Sequence, residues 1–182
     1  MNKILLIICG SIAASRCEEV IKLLNYNNFK TSCILTEEGK KYVRISNIKK
    51  LVKNRIFTDK SEIQNKMLHI NLSRENDLIV VFPATANTIA KFANGYGDNL
   101  ASNTLLASNK KILFVPAMNS FMWHNKINRK NVKLLKDIGH EFLGPKVGNL
   151  KCGEFGLGRI DNSKNIVDRI LSRLENINLF KN

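Results

Sequence analysis

Three short apolar runs, each stopped by a turn-forming residue, constrain this chain more than any other feature. Ile4 to Cys9 stops at Gly10, Leu78 to Phe82 at Pro83, and Ile112 to Val115 at Pro116. Unbroken runs of this length mark strands buried on both faces. Helical patterns fall between them. Ser11 can cap a helix over Ile12 to Leu24, with Ile12, Val20, Leu23 and Leu24 on one side and small Ala13 and Ala14 beside them. Phe29 to Leu35 then reads as a second strand ending at Thr36, which completes a βαβ unit. Residues 37–58 read as mixed and helical, and 59–73 as a polar connection. Thr88 to Asn94, Leu100 to Ser108 and Asn128 to Ile138 read as helices, the last stopped by Gly139. Glu141 to Leu143 suits a short strand. Residues 144–160, with five Gly and a Pro, read as loop. Ile166 to Ile177 closes the chain as an amphipathic helix. The pattern predicts an α/β fold, a three-layer, doubly wound parallel sheet. It predicts one domain over residues 1–182, with a core at 1–160 and a C-terminal helix at about 163–178.

Composition removes several functional classes. Twenty-nine basic residues face 15 acidic ones, a net charge of +14. The lysines are scattered among 24 Asn, and the 7% of aromatics do not interleave with them. A nucleic-acid surface needs such interleaving, so no nucleic-acid partner is expected. Part of the positive charge is expected near the ligand crevice, where it would draw in an anionic substrate. No apolar run approaches bilayer length, and the first is too short for an export signal, so no membrane partner is expected. Cys9, Cys17, Cys33 and Cys152 form no C-x-x-C pair, so no metal is expected. The first three lie in apolar runs and suit a core in a reducing, cytoplasmic compartment. Cys152, in Lys151-Cys152-Gly153-Glu154, lies in the Gly-rich stretch, where a reactive thiol would sit.

Ligands of doubly wound sheets bind beyond the carboxyl ends of the strands. Here those ends carry Gly10-Ser11, Thr36, Pro83-Ala84-Thr85-Ala86-Asn87-Thr88 and Pro116-Ala117-Met118-Asn119. Gly10-Ser11-Ile12-Ala13-Ala14 suits a phosphate at a helix start, and serves equally as a tight turn. Thr85 or Asn87 can cap the next helix or line a cofactor. The Asn119 amide can hold a carboxylate, or simply form a turn. His69 can act as a base near neutral pH or play a structural part. His124 and His140 flank helix ends and read as exposed.

Together with Met67-Leu68-His69-Ile70 and Cys152-Gly153-Glu154, these segments resemble the homo-oligomeric flavin-containing cysteine decarboxylases, in order from residue 3 to about 160. The resemblance implies a flavodoxin-like or Rossmann-like flavoprotein that binds FMN and assembles as a homotrimer, sometimes as a dodecamer. Gly10, Ser11 and Ile12, helped by Thr36, would meet the FMN phosphate. Thr85, Ala86, Asn87, Thr88 and Ala117 would hold the flavin. His69 would be the base, Asn119 would grip the substrate carboxylate with Met122 beside it, and Cys152 would donate a proton.

The implied reaction converts 4'-phospho-N-pantothenoylcysteine to 4'-phosphopantetheine in coenzyme A biosynthesis. A thiol is oxidised to a thioaldehyde, CO2 leaves, and the product is reduced again, so the net reaction is redox-neutral. Two alternatives stand beside it. One is oxidative decarboxylation of a peptide's C-terminal cysteine, which needs no donor Cys. The other is a non-catalytic flavin-binding regulator. Flavin prenyltransferases share the Gly-Ser turn but lack the Pro-Ala-Met-Asn run. Bacterial relatives often fuse a phosphopantothenoylcysteine synthetase downstream; here it is expected as a separate protein, or the 182 residues are part of a longer chain.

Overall fold

A computed structural model describes residues 2–179 apart from 54 and 66; of 178 and 179 only the backbone is described. Six parallel strands form the central sheet: β1 (Lys3–Ile8), β2 (Lys30–Leu35), β3 (Ile56–Phe57), β4 (Leu78–Ala84), β5 (Leu113–Pro116) and β6 (Glu141–Phe142). Their order is β3-β2-β1-β4-β5-β6. The chain therefore winds outward from β1 to one edge, returns, and winds from β4 to the other. The neighbours β1 and β4, joined from Ile4↔Leu78 to Ile7↔Val81, mark the switch point, where an open α/β sheet leaves a crevice.

Period-two alternation in β1 builds both cores. Ile4, Leu6 and Ile8 pack with α1 (Cys17–Tyr26), α2 (Ile45–Leu51) and the C-terminal helix, Ser163–Leu179. Leu5, Ile7 and Cys9 pack with α4 (Leu68–Glu75), α5 (Ala86–Ala93), α6 (Leu100–Leu106) and α8 (Lys126–Asp137). Each of these fully buried aliphatic side chains contributes about 1.5–3 kcal/mol. The expected three-layer doubly wound sheet is the observed one.

Several local expectations differ. The helix expected from Ile12 begins as a 3-10 turn over Ile12–Arg16 and becomes α-helical only at Cys17. Ser11 enforces the tight start: its Oγ accepts from Ala13 N at 3.3 Å and its carbonyl from Ala14 N at 2.8 Å. Residues 37–58 contain the edge strand β3, too short for a period to show. The expected polar connection at 59–73 is two helices, α3 (Asp59–Gln64) and the start of α4. The backbone N–H of Thr58 donates to Ser61 Oγ at 3.1 Å and caps α3, while only Leu68 and Leu72 anchor α4. Pro116 ends β5 as expected, whereas Pro83 does not end its strand but lies inside β4, where the register shifts between Val81 and Ala84.

The expected loop at 144–160 contains an antiparallel hairpin, β7 (Lys146–Asn149) and β8 (Phe155–Arg159). Two of its glycines allow close approach to another segment. A Cβ on Gly158 would stand 2.2 Å from the Met118 carbonyl oxygen, and one on Gly156 2.7 Å from Ser120 Oγ. The hairpin is thereby pressed against the segment that follows β5.

Candidate active site

The switch point holds a cavity of about 440 Å³ beyond the ends of β1, β2 and β4. That volume lies within the range of small-molecule sites. Gly10, Thr36, Thr85, Asn87, Thr88 and Met122 line it, as the sequence suggested. Cys9, Ala101 and Leu105 add apolar wall, and sequence reasoning missed all three as lining residues. Burial pushes the Cys9 thiol up to about 11, opposed by a hydrogen bond with Thr88, so it stays a neutral contact surface.

Local structure fixes this lining. Thr36 Oγ1 donates to the Ile8 carbonyl at 3.1 Å and accepts from Gly39 N at 3.1 Å, which ties the ends of β1 and β2 together. Gly10 must be glycine, because a Cβ there would meet Glu38 Cβ at 2.4 Å. Thr85 caps α5 by accepting from Thr88 N at 3.2 Å, and the two hydroxyls lie 3.1 Å apart.

The remaining expected cofactor residues do not line the cavity. Ser11 is spent on the turn, Ile12 is 49% exposed, Ala86 opens α5, and Ala117 is buried with its N–H on the Ala84 carbonyl at 3.1 Å. Nor is positive charge gathered here. The lining includes Lys91 against Glu37, Glu38 and Asp59. Lys91 is paired with Asp98 at 2.6 Å, and that hydrogen bond holds the Asp98 carboxyl below its usual range. Glu37 and Glu38 are paired with Lys40 and Lys41, so the crevice itself carries little net charge.

At the cavity's Met122 side, two distant stretches meet. Asn119 caps α7 (Ser120–His124), its Oδ1 accepting from Phe121 N at 2.7 Å and Met122 N at 3.4 Å. Its Nδ2 lies 3.5 Å from Cys152 Sγ and donates to Glu154 Oε2. Cys152 is exposed on the hairpin tip, whereas Cys9, Cys17 and Cys33 are buried. Burial raises the Cys17 thiol to about 12 and pushes Cys33 upward as well.

His69 lies elsewhere. Its Nδ1 is hydrogen-bonded to Glu62 Oε1, and Glu62 Oε2 accepts from Asn103 Nδ2 at 3.5 Å. Glu62 and Asn103 line a second groove that shares Asp59 and Asn99 with the first cavity. No hydrogen bond joins His69 to Asn119 or Cys152. Sequence reasoning missed Glu62, because the pairing of α3 with α4 is invisible when both read as connection. Of the other histidines, His124 is exposed as expected. His140 is half-buried, 5.1 Å from the Phe92 ring, and accepts from Ile112 N at 3.2 Å.

The residues present fit a flavin. The cavity offers hydroxyls and an amide at its rim and Cys9, Ala101, Leu105 and Met122 as apolar wall, a donor set for a planar ring with polar edges.

An open parallel sheet with such a site at its switch point defines a nucleotide- or flavin-binding class, and the chain belongs to the Flavoprotein family, which it matches over residues 1–175. Within that family it is 33% identical over 183 residues to the coenzyme A biosynthesis bifunctional protein CoaBC of Borreliella burgdorferi, covering 100% of this chain and 47% of that protein. The chain thus spans about half the length of that relative. It is 32% identical over 177 residues to the probable phosphopantothenoylcysteine decarboxylase of Streptococcus mutans, covering 95% of this chain and 99% of the relative. Among solved structures, a mutant PPC decarboxylase complexed with pantothenoylaminoethenethiol superposes with a TM-score of 0.89 at 26% identity, covering 96% of this chain and 98% of that one. The FMN-binding protein AtHal3 superposes with 0.86 at 27% identity, covering 96% and 97%.

Proposed function

We propose that this chain is an FMN-dependent decarboxylase that converts 4'-phospho-N-pantothenoylcysteine to 4'-phosphopantetheine. The observation that carries this reading is the meeting of Asn119 with Cys152 across 33 residues, at the edge of a cavity that fits a flavin. The full-length likeness to the Streptococcus mutans relative and the superposition on PPC decarboxylase support it.

When bound, FMN would supply a reversible hydride acceptor, so that the substrate's thiol can be oxidised to the thioaldehyde that takes up the departing carboxylate's electrons. Gly10 and the turn after it, helped by Thr36, seat the phosphate, and Thr85, Asn87 and Thr88 orient the ring. The Asn119 amide holds the substrate carboxylate. His69, fixed by Glu62, serves as the base, and Cys152 delivers a proton from the exposed tip. Because His69 lies apart from Asn119, the site is completed between chains of a homo-oligomer, a trimer or an assembly of trimers. Exposed Ile12, Phe121, Met122 and Phe155 support such contacts. The four unpaired cysteines suit a reducing cytoplasm. The substrate comes from a synthetase, separate or fused, as the bifunctional relative's name suggests.

The test is the product mass after mixing flavin-loaded protein with phosphopantothenoylcysteine. Loss of CO2 alone is expected. Loss of CO2 plus two hydrogens would point instead to oxidative decarboxylation, and an unchanged mass with flavin bound to a non-catalytic role.

A further inference from the structure

The amide of Asn119 has no hydrogen-bonding capacity to spare. A primary amide offers two N–H donors and one oxygen with two lone pairs. Here the oxygen accepts from Phe121 N and Met122 N, which caps α7. The Nδ2 group faces Cys152 Sγ at 3.5 Å and donates to Glu154 Oε2. A substrate carboxylate cannot join this amide without displacing one of them.

Glu154 is the group built to leave. It is a carboxylate, so it makes with Asn119 the contact the substrate would make. Among the described residues no cation pairs with it. The turn that carries it is closed by backbone bonds, Leu150 N to the Glu154 carbonyl at 2.7 Å and Gly153 N to the Leu150 carbonyl at 3.0 Å. The side chain can therefore swing away while the turn stays shut. We infer that Glu154 is a resident carboxylate that occupies the Asn119 amide in the ligand-free protein and is displaced by the substrate's own carboxylate. It thereby sets affinity and selectivity for acids, and holds the amide aimed between uses. This rests on the proposed function, in which Asn119 is the carboxylate grip.

The flavin-loaded protein tests it by calorimetry with two inert ligands. One is 4'-phospho-N-pantothenoylserine, whose hydroxyl replaces the thiol. The other is its ethanolamine counterpart, which differs only by lacking the carboxylate. Glu154→Ala is expected to bind the acid roughly tenfold more tightly, the effect of removing one competing charged hydrogen bond, with the ethanolamine ligand unchanged. Glu154→Gln, which keeps a neutral acceptor, is expected to fall between. Equal affinities in wild type and Glu154→Ala would overturn the inference alone, as would weaker binding of both ligands by a variant that still melts like wild type. A wild-type protein that binds neither ligand, or that binds both while Asn119→Ala leaves the preference for the acid intact, would overturn the proposed function and this inference with it.

Discussion

Single side chains divide here by what surrounds them. Three thiols are sealed in the core and one is on a hairpin tip, so a maleimide reagent should label the native protein once and the unfolded protein four times. Cys152→Ser should remove the native label. In the activity assay it should leave an oxidised product lacking CO2 and two hydrogens, because the proton for the reductive half is missing. On the proposed function, Glu62 acts through His69, to which it is hydrogen-bonded. Glu62→Gln should lower kcat roughly tenfold to hundredfold with KM unchanged, and Glu62→Asp should recover part of it. His140 gives a pH signature of stability. Burial holds its pKa below the usual value, and its Nδ1 must stay unprotonated to accept from Ile112 N. The neutral form is favoured in the fold, so this stability is complete above about pH 6.5 and declines as the pH falls below it. Melting temperature should drop between pH 7.5 and 5.5, and His140→Gln, which keeps an acceptor, should flatten that drop.

Elements show why some of the architecture was legible and some was not. The strands β1, β4 and β5 announce themselves because both faces are buried, and burial writes itself as an apolar run. The Gly-Ser turn, the Thr85 cap and Asn119 were legible as strand-end chemistry, whereas the contact of Asn119 with Cys152 shows only in the fold. The hairpin was not legible, since Val147 and Phe155 are exposed and no alternation marks its faces. Its glycines read as loop signals, while the cause at Gly158 is a backbone neighbour far off in sequence. Gly158→Ala tests that cause. The added Cβ collides with the Met118 carbonyl, which no rotamer change relieves, so the variant should lose about 1–3 kcal/mol in urea unfolding. It should also lower turnover, because the same strand places Asn119 against Cys152. The charge at the cavity was misjudged for a different reason: a total of +14 says nothing about where ion pairs cancel it.

At the scale of the whole molecule, cofactor and fold should be linked. A ligand present at a hundredfold excess over its Kd stabilises the folded state by about 2.7 kcal/mol. FMN should therefore raise the melting temperature by several degrees, and riboflavin by less, if the turn after β1 seats the phosphate. The division of labour along the chain has a further consequence. The described residues lining the switch-point cavity run from Cys9 to Met122, whereas the exposed thiol sits on a five-residue tip, residues 150–154, that contributes nothing to that lining. On the proposed function, capture of the cofactor and the fate of the product are thus written in separate stretches of sequence. A lineage could rewrite the tip, trading a redox-neutral outcome for an oxidative one, and keep its cofactor throughout.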